Sequence, residues 1–150
     1  PIAGTRPRGK TIKEDRFYER DPLLDGAKRF LEDLNKAAIP SAVISNDTTK
    51  GIHTFLDHEN ISSLVVDCWS ADDQPRKPNP EAVHQLCKRL QLLPHQCALI
   101  GDAETDLQMA RDAGIGCVIG YLGGWEIRPD LPTAVHQFEH WNELELEADP

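Results

Sequence analysis

From Pro22 onward the apolar residues alternate between helical spacing and short continuous runs, a pattern that predicts successive βαβ units. Ala27, Phe30, Leu31, Leu34 and Ala38 share one face of a helix over 26–38, and Pro40 interrupts before a short buried strand over 41–45. Asp47 is the candidate cap of a second helix whose Ile52, Phe55 and Leu56 turn inward, and the β-branched run 63–69 reads as the next strand. A polar loop over 70–78 follows, and Asn79 with Pro80 then opens a helix carrying Ala82, Val83, Leu86, Cys87 and Leu90. Residues 97–100 form a third strand, 105–113 a compact helix with Gly114 as its left-handed cap, and 116–121 a fourth strand. The expected fold is α/β, a Rossmann-like parallel sheet between two helical layers, in one domain over 1–150.

The two ends of the chain fit this pattern less well. Residues 1–21 are charged and aperiodic, so an irregular segment is expected there. Residues 136–147 leave two readings, a terminal helix capped by Glu143, Glu145 and Glu147, or a solvated acidic face; the second is preferred, giving an acidic tail over 136–150. No internal repeat is present.

Composition narrows the function. With 39% hydrophobic and 27% charged residues the balance is that of a globular domain, and no apolar run reaches the roughly eighteen residues of a membrane span. The opening PIAGTRPRGK has charge without the apolar stretch of a signal peptide, so a cytoplasmic address is expected. A net charge of -9 argues against a nucleic-acid-binding surface, which relies on Lys and Arg. Cys68, Cys87, Cys97 and Cys117 lack CxxC spacing and read as reduced core residues. His53, His58, His84, His95, His136 and His140 show no metal-ligand spacing, so metal chemistry here requires oxygen ligands.

Three polar clusters stand where strands end: Ser45 and Asn46 after the first, Lys77 after the second, and Gly101 and Asp102 after the third. In an open parallel sheet such points lie along one crevice. Asp102 and Asp106 are spaced to face one hard cation such as Mg2+, although carboxylates there also complement a helix N-terminus. Lys77, held by flanking prolines, is either an anchor for an anion or an exposed loop lysine. Ser45 offers its hydroxyl, with the amides opening the next helix, to phosphate oxygens, or merely ends a strand. Trp125 in its glycine-rich loop either lines the crevice mouth or packs.

Together these motifs resemble the haloacid dehalogenase superfamily, over about residues 21–124. AVISN is similar to its second motif, RKPNPEAV to its third, and LIGDAETDLQMARDAG to its fourth, with the pattern GDxxxDxxxAxxAG running from Gly101 to Gly114. The resemblance implies a Mg2+-dependent phosphohydrolase in which an aspartate at the tip of the first strand attacks phosphorus. By the same resemblance Asp102 binds Mg2+ directly, Asp106 supports that site, Lys77 neutralises the nucleophile and the phosphoryl group, and Ser45 with Asn46 holds phosphoryl oxygens. The substrate implied is a small phosphorylated metabolite or a phosphorylated macromolecule.

The family's first motif, DxDGT or similar, is not visible. Either Pro1 and Ile2 end a DxDGPI-like motif or residues 2–5 match the AGT of a DxAGT variant, and Asp15, Asp21 and Asp25 lack a strand context. In the family that first strand is central, so an upstream peptide or a partner chain is expected to complete the sheet. The spacing leaves too few residues before Pro22 for a cap domain, and none is inserted between Ser45 and Lys77, so a capless core is expected. The rival reading is a non-catalytic binding or scaffold module of the same fold.

Overall fold

The computed structural model describes residues 26–147. Four helices and five strands alternate: α1 (Ala27–Lys36), β1 (Ala42–Ile44), α2 (Thr49–His58), β2 (Asp67–Trp69), α3 (Pro80–Arg89), β3 (Ala98–Gly101), α4 (Glu104–Asp112), β4 (Cys117–Tyr121) and β5 (His136–Phe138). Each helix forms where the apolar spacing placed one. Ala27, Phe30, Leu31 and Leu34 of α1 are buried, as are Ala82, Val83, Leu86 and Cys87 of α3. Asn79 caps α3 through a bond from the Glu81 N–H at 2.9 Å, and Gly114 follows α4 at φ 82°, the left-handed conformation that a residue without Cβ adopts freely. The cap of α2 differs from expectation. Thr48 takes the Gly51 N–H, whereas Asp47 lies one position outside and accepts from Thr48 N–H.

The strands form two parallel ladders, β1 with β2 and β3 with β4 with β5. Successive strand residues point to opposite faces, and this period sorts them into two cores. Ile44, Trp69, Leu99 and Val118 enter one core with α3 and α4. Val43, Ile100, Tyr121 and Phe138 enter the other with α1 and α2. Both ladders contribute to both cores, so they occupy one central layer between two pairs of helices. The three-layer α/β/α architecture therefore holds, with its sheet divided in two among the described residues.

Two segments depart from the sequence reading. Only Asp67–Trp69 of the expected strand 63–69 is paired as a strand, because Ser62–Leu64 forms a 3-10 turn in which the Ser62 hydroxyl bonds Asp57. The C-terminal region holds neither a long helix nor only a solvated face. His136–Phe138 pairs with β4, and Trp141–Glu143 makes a 3-10 turn. Trp141 is buried against Phe30, Tyr121 and Phe138 with ring centroids 5.1–6.0 Å apart. The Glu143 carboxylate accepts the N–H groups of His140 and Glu139 at 2.8 and 2.7 Å, which hold its carboxyl below the usual range. A three-residue strand is too short to display alternation, so the pattern carried no sign of it.

Cys87 of α3 and Cys97 before β3 approach to 4.0 Å between sulfurs, and burial, followed by the neighbouring thiol, pushes Cys87 up to about 12. No described helix is long and apolar enough to cross a membrane.

Leu107 of α4 is fully buried between the ladder and α3. Leu107→Ala is expected to cost about 2–5 kcal/mol of unfolding free energy in a urea titration. His84 joins α3 to α4, with Nδ1 3.1 Å from Glu81 Oε2 and Nε2 3.0 Å from the Ala113 carbonyl. The Glu81 carboxylate, then that carbonyl, raises His84 above its ordinary 6.5. The imidazolium's contribution is therefore whole below that value and is lost as pH rises through the raised one. The melting-temperature deficit of His84→Gln should be larger at about pH 5.5 than at about pH 9.

Candidate active site

The end of β1 is continued by Ser45, whose N–H donates to the Trp69 carbonyl at 2.9 Å. Its hydroxyl oxygen then accepts the Asp47 N–H at 3.1 Å and keeps its own proton to donate. The start of α2 is more fully engaged than its sequence indicates. Thr48 N–H goes to Asp47 Oδ1 at 2.8 Å, Thr49 N–H to Asp72 Oδ2 at 3.0 Å, and Gly51 N–H to Thr48 Oγ1 at 3.0 Å. Side-chain oxygens thus occupy the helix-start amides expected for phosphate, leaving the Ser45 hydroxyl and exposed Asn46 as the polar groups turned out at this strand end.

The loop after β2 is a series of tight turns. Ser70 N–H donates to Asp73 Oδ2 at 2.8 Å, Ala71 N–H to the Asp47 carbonyl at 2.9 Å, and the Trp69 indole to the Pro75 carbonyl at 2.7 Å. Arg89 forks onto Asp67 at 2.8 and 3.0 Å and lies over the Trp69 ring, fixing α3 against the same strand. From this loop Lys77 turns inward. Its Nζ lies 3.2 Å from both carboxylate oxygens of Asp106, and the two side chains are only 12% and 9% exposed. Lys77 is therefore not an exposed loop lysine, and Asp106, in the first turn of α4, has a cationic partner besides the helix N-terminus. Because Lys77 follows β2 and Asp106 follows β3, their bond brings the carboxyl ends of the two ladders to the same side.

At the end of β3, a side chain at Gly101 would press on Leu107 and on Asp106 Cβ at 3.3 and 3.4 Å, so the bare backbone admits α4 closely. Asp102 follows in the bend. Its carbonyl accepts the Trp125 indole N–H at 2.8 Å. A Cβ at Gly124 would lie 3.2 Å from Asp102 Oδ2, so the loop backbone runs against the carboxylate. The Tyr121 ring borders the same spot, 3.3 Å from where a Gly124 Cβ would stand, and its hydroxyl is raised above its ordinary range by burial and then by the Asp102 charge.

Among the described residues no three His, Cys, Asp or Glu side chains cluster in metal-binding geometry. Asp102 and Asp106 are nevertheless oxygen donors, with no imidazole or thiol beside them in the contacts above. They suit a hard divalent cation in kind, as part of a ligand set. Sequence reasoning left Trp125 between lining the crevice mouth and plain packing, missed its bond to Asp102, which spans 23 residues, and missed Asp72 altogether. Neither contact leaves a local signal. Asp72 lies in a polar loop, where one more carboxylate reads as solvent-facing.

Residues 4–114 match the family described as haloacid dehalogenase-like hydrolase. The phosphoglycolate phosphatase of Photobacterium profundum is 32% identical over 130 residues, which span 81% of this chain and 57% of that protein. The phosphoglycolate phosphatase of Vibrio parahaemolyticus is 28% identical over 138 residues, 87% of this chain and 60% of that protein. The chain thus spans about half to three fifths of the curated relatives it matches. Among solved structures, a predicted phosphoglycolate phosphatase from Haemophilus somnus superposes with TM-score 0.74 at 26% identity, covering 80% of this chain and 54% of that one. A β-phosphoglucomutase from Clostridium difficile shares the fold at TM-score 0.68 and 23% identity, covering 81% and 52%.

Because Lys77 and Asp106 are desolvated together, Lys77→Met alone should destabilise by about 3–5 kcal/mol in chemical denaturation. Pairing it with Asp106→Leu should recover most of that loss, since no uncompensated charge remains inside.

Proposed function

The chain belongs to the haloacid dehalogenase-like hydrolase family, and from that membership we propose that it is the phosphate-handling core of a Mg2+-dependent phosphohydrolase acting on small phosphorylated compounds. The observation that carries this reading is the buried Lys77–Asp106 pair, which holds a cation and a carboxylate where the strands end. The names of the relatives make 2-phosphoglycolate a substrate to include in any panel.

In this reading Lys77 offsets the negative charge of the phosphoryl group and of the attacking carboxylate, two anions that would otherwise repel at the moment of approach. Ser45 donates its hydroxyl proton to a phosphoryl oxygen, with Asn46 beside it, and the amides of α2 serve to hold the Ser45 turn rigid. Asp102 would hold Mg2+ directly, and Asp106, itself paired with Lys77, would support that site. When bound, the cation supplies Lewis-acid neutralisation of phosphoryl charge.

The nucleophilic aspartate is assigned to an extended segment filling the central layer between the two ladders, where β1 and β3 each lack a ladder partner in the other sheet. On this proposal the segment is contributed by an upstream peptide or by a partner chain; residues 1–25, with Asp15, Asp21 and Asp25, lie outside the described residues. Between Ser45 and Lys77 the chain forms only α2, a 3-10 turn, β2 and a loop, which supports a site uncovered by a cap on that side. Four unpaired cysteines fit a reducing, cytoplasmic compartment.

The test is hydrolysis of an aryl phosphate by the longest gene product. Activity is expected to require Mg2+, to vanish with a chelator, and to fall by roughly 100-fold or more in Lys77→Ala. Equal, metal-independent rates in the wild type and Lys77→Ala would refute the assignment.

A further inference from the structure

We propose that Trp125 and Gly124, on the loop between β4 and β5, are positioning residues that set the orientation of the Asp102 carboxylate and thereby the strength of divalent-cation binding. The proposal rests on the phosphohydrolase reading in taking Asp102 as the cation-binding group. Three contacts converge on it.

The first concerns the backbone. Ala103, at the N-cap position of α4, supplies no side-chain cap, so the usual device for fixing the preceding bend is missing. In its place the half-buried Trp125 donates its indole N–H to the Asp102 carbonyl at 2.8 Å. An indole has one donor in a rigid plane, so this bond constrains the peptide that follows Asp102 and, through it, the direction of the Cα–Cβ bond. The second concerns the side chain. Gly124 runs close enough to Asp102 Oδ2 that even a methyl group would sit at 3.2 Å from it, and 3.3 Å from the Tyr121 ring. The carboxylate is walled on this side by backbone, and its rotamers are restricted accordingly. The third fixes the loop itself. Glu104, the first residue of α4, accepts the Thr133 N–H at 3.0 Å, so the β4–β5 connection is tied to the start of α4 at a second point.

A group that holds a metal ligand without touching the metal acts on affinity, and loss of such partners costs about 10-fold or more in binding. Trp125→Phe keeps the ring and removes the N–H. Gly124→Ala keeps the indole and pushes directly on the carboxylate. Titration calorimetry of the longest gene product with Mn2+ is expected to show binding weakened by about 10-fold in Trp125→Phe and weakened also in Gly124→Ala. Hydrolysis of the aryl phosphate should need correspondingly more metal, while KM at saturating metal stays near the wild-type value. If Trp125→Phe lowers the melting temperature, Gly124→Ala at an unchanged melting temperature decides the matter. Wild-type Mn2+ affinity in both variants overturns the positioning role alone. A wild-type protein that neither binds Mn2+ nor hydrolyses phosphate overturns the phosphohydrolase reading as well.

Discussion

The arrangement turns on one desolvated contact, the ammonium of Lys77 against the carboxylate of Asp106. Neither charge tolerates burial alone, so the loop after β2 and the first turn of α4 must meet wherever the fold is complete. That obligation aligns two ladders that share no hydrogen bond with each other among the described residues. It also concentrates charge at one rim of the sheet, since Ser45 is held to Trp69, Trp69 to Pro75, and Asp102 stands four residues before Asp106. The site is therefore a consequence of how the sheet is held as much as an addition to it.

The second constraint is geometric. A parallel strand buried on both faces needs apolar side chains pointing both ways, and Val43 with Ile44, then Leu99 with Ile100, supply them. Helices must then cover both faces, which the order of elements provides by placing α1 and α2 on one side and α3 and α4 on the other. The aromatic group of Phe30, Tyr121, Phe138 and Trp141 closes the first of these cores from the C-terminal end.

Much of this was legible in the residues. The first and third helices announced themselves through five apolar positions apiece and the second through three, and Asn79 and Gly114 marked ends with chemistry that has few other uses. Lys77 and Asp106 were legible as candidates, but their mutual contact was not, because it joins positions 29 apart. The strand at His136–Phe138 escaped notice for a different reason: two of its three residues are exposed, so it has no apolar run. Asp47 misled because a carboxylate beside a helix start caps either its own turn or the next residue's amide, and only the backbone angles at Thr48 decide which. The contacts around Trp125 belong to the same class as Lys77–Asp106, long in sequence and short in space.

The two sulfurs of Cys87 and Cys97 carry a practical implication for anyone handling the protein. A thiol raised to about 12 has almost no thiolate near neutrality, and the thiolate is the species that alkylating reagents attack. Cys87 is also buried in the core beneath α3, so its labelling by a maleimide under native conditions depends on the opening of that layer more than on the chemistry of the reagent.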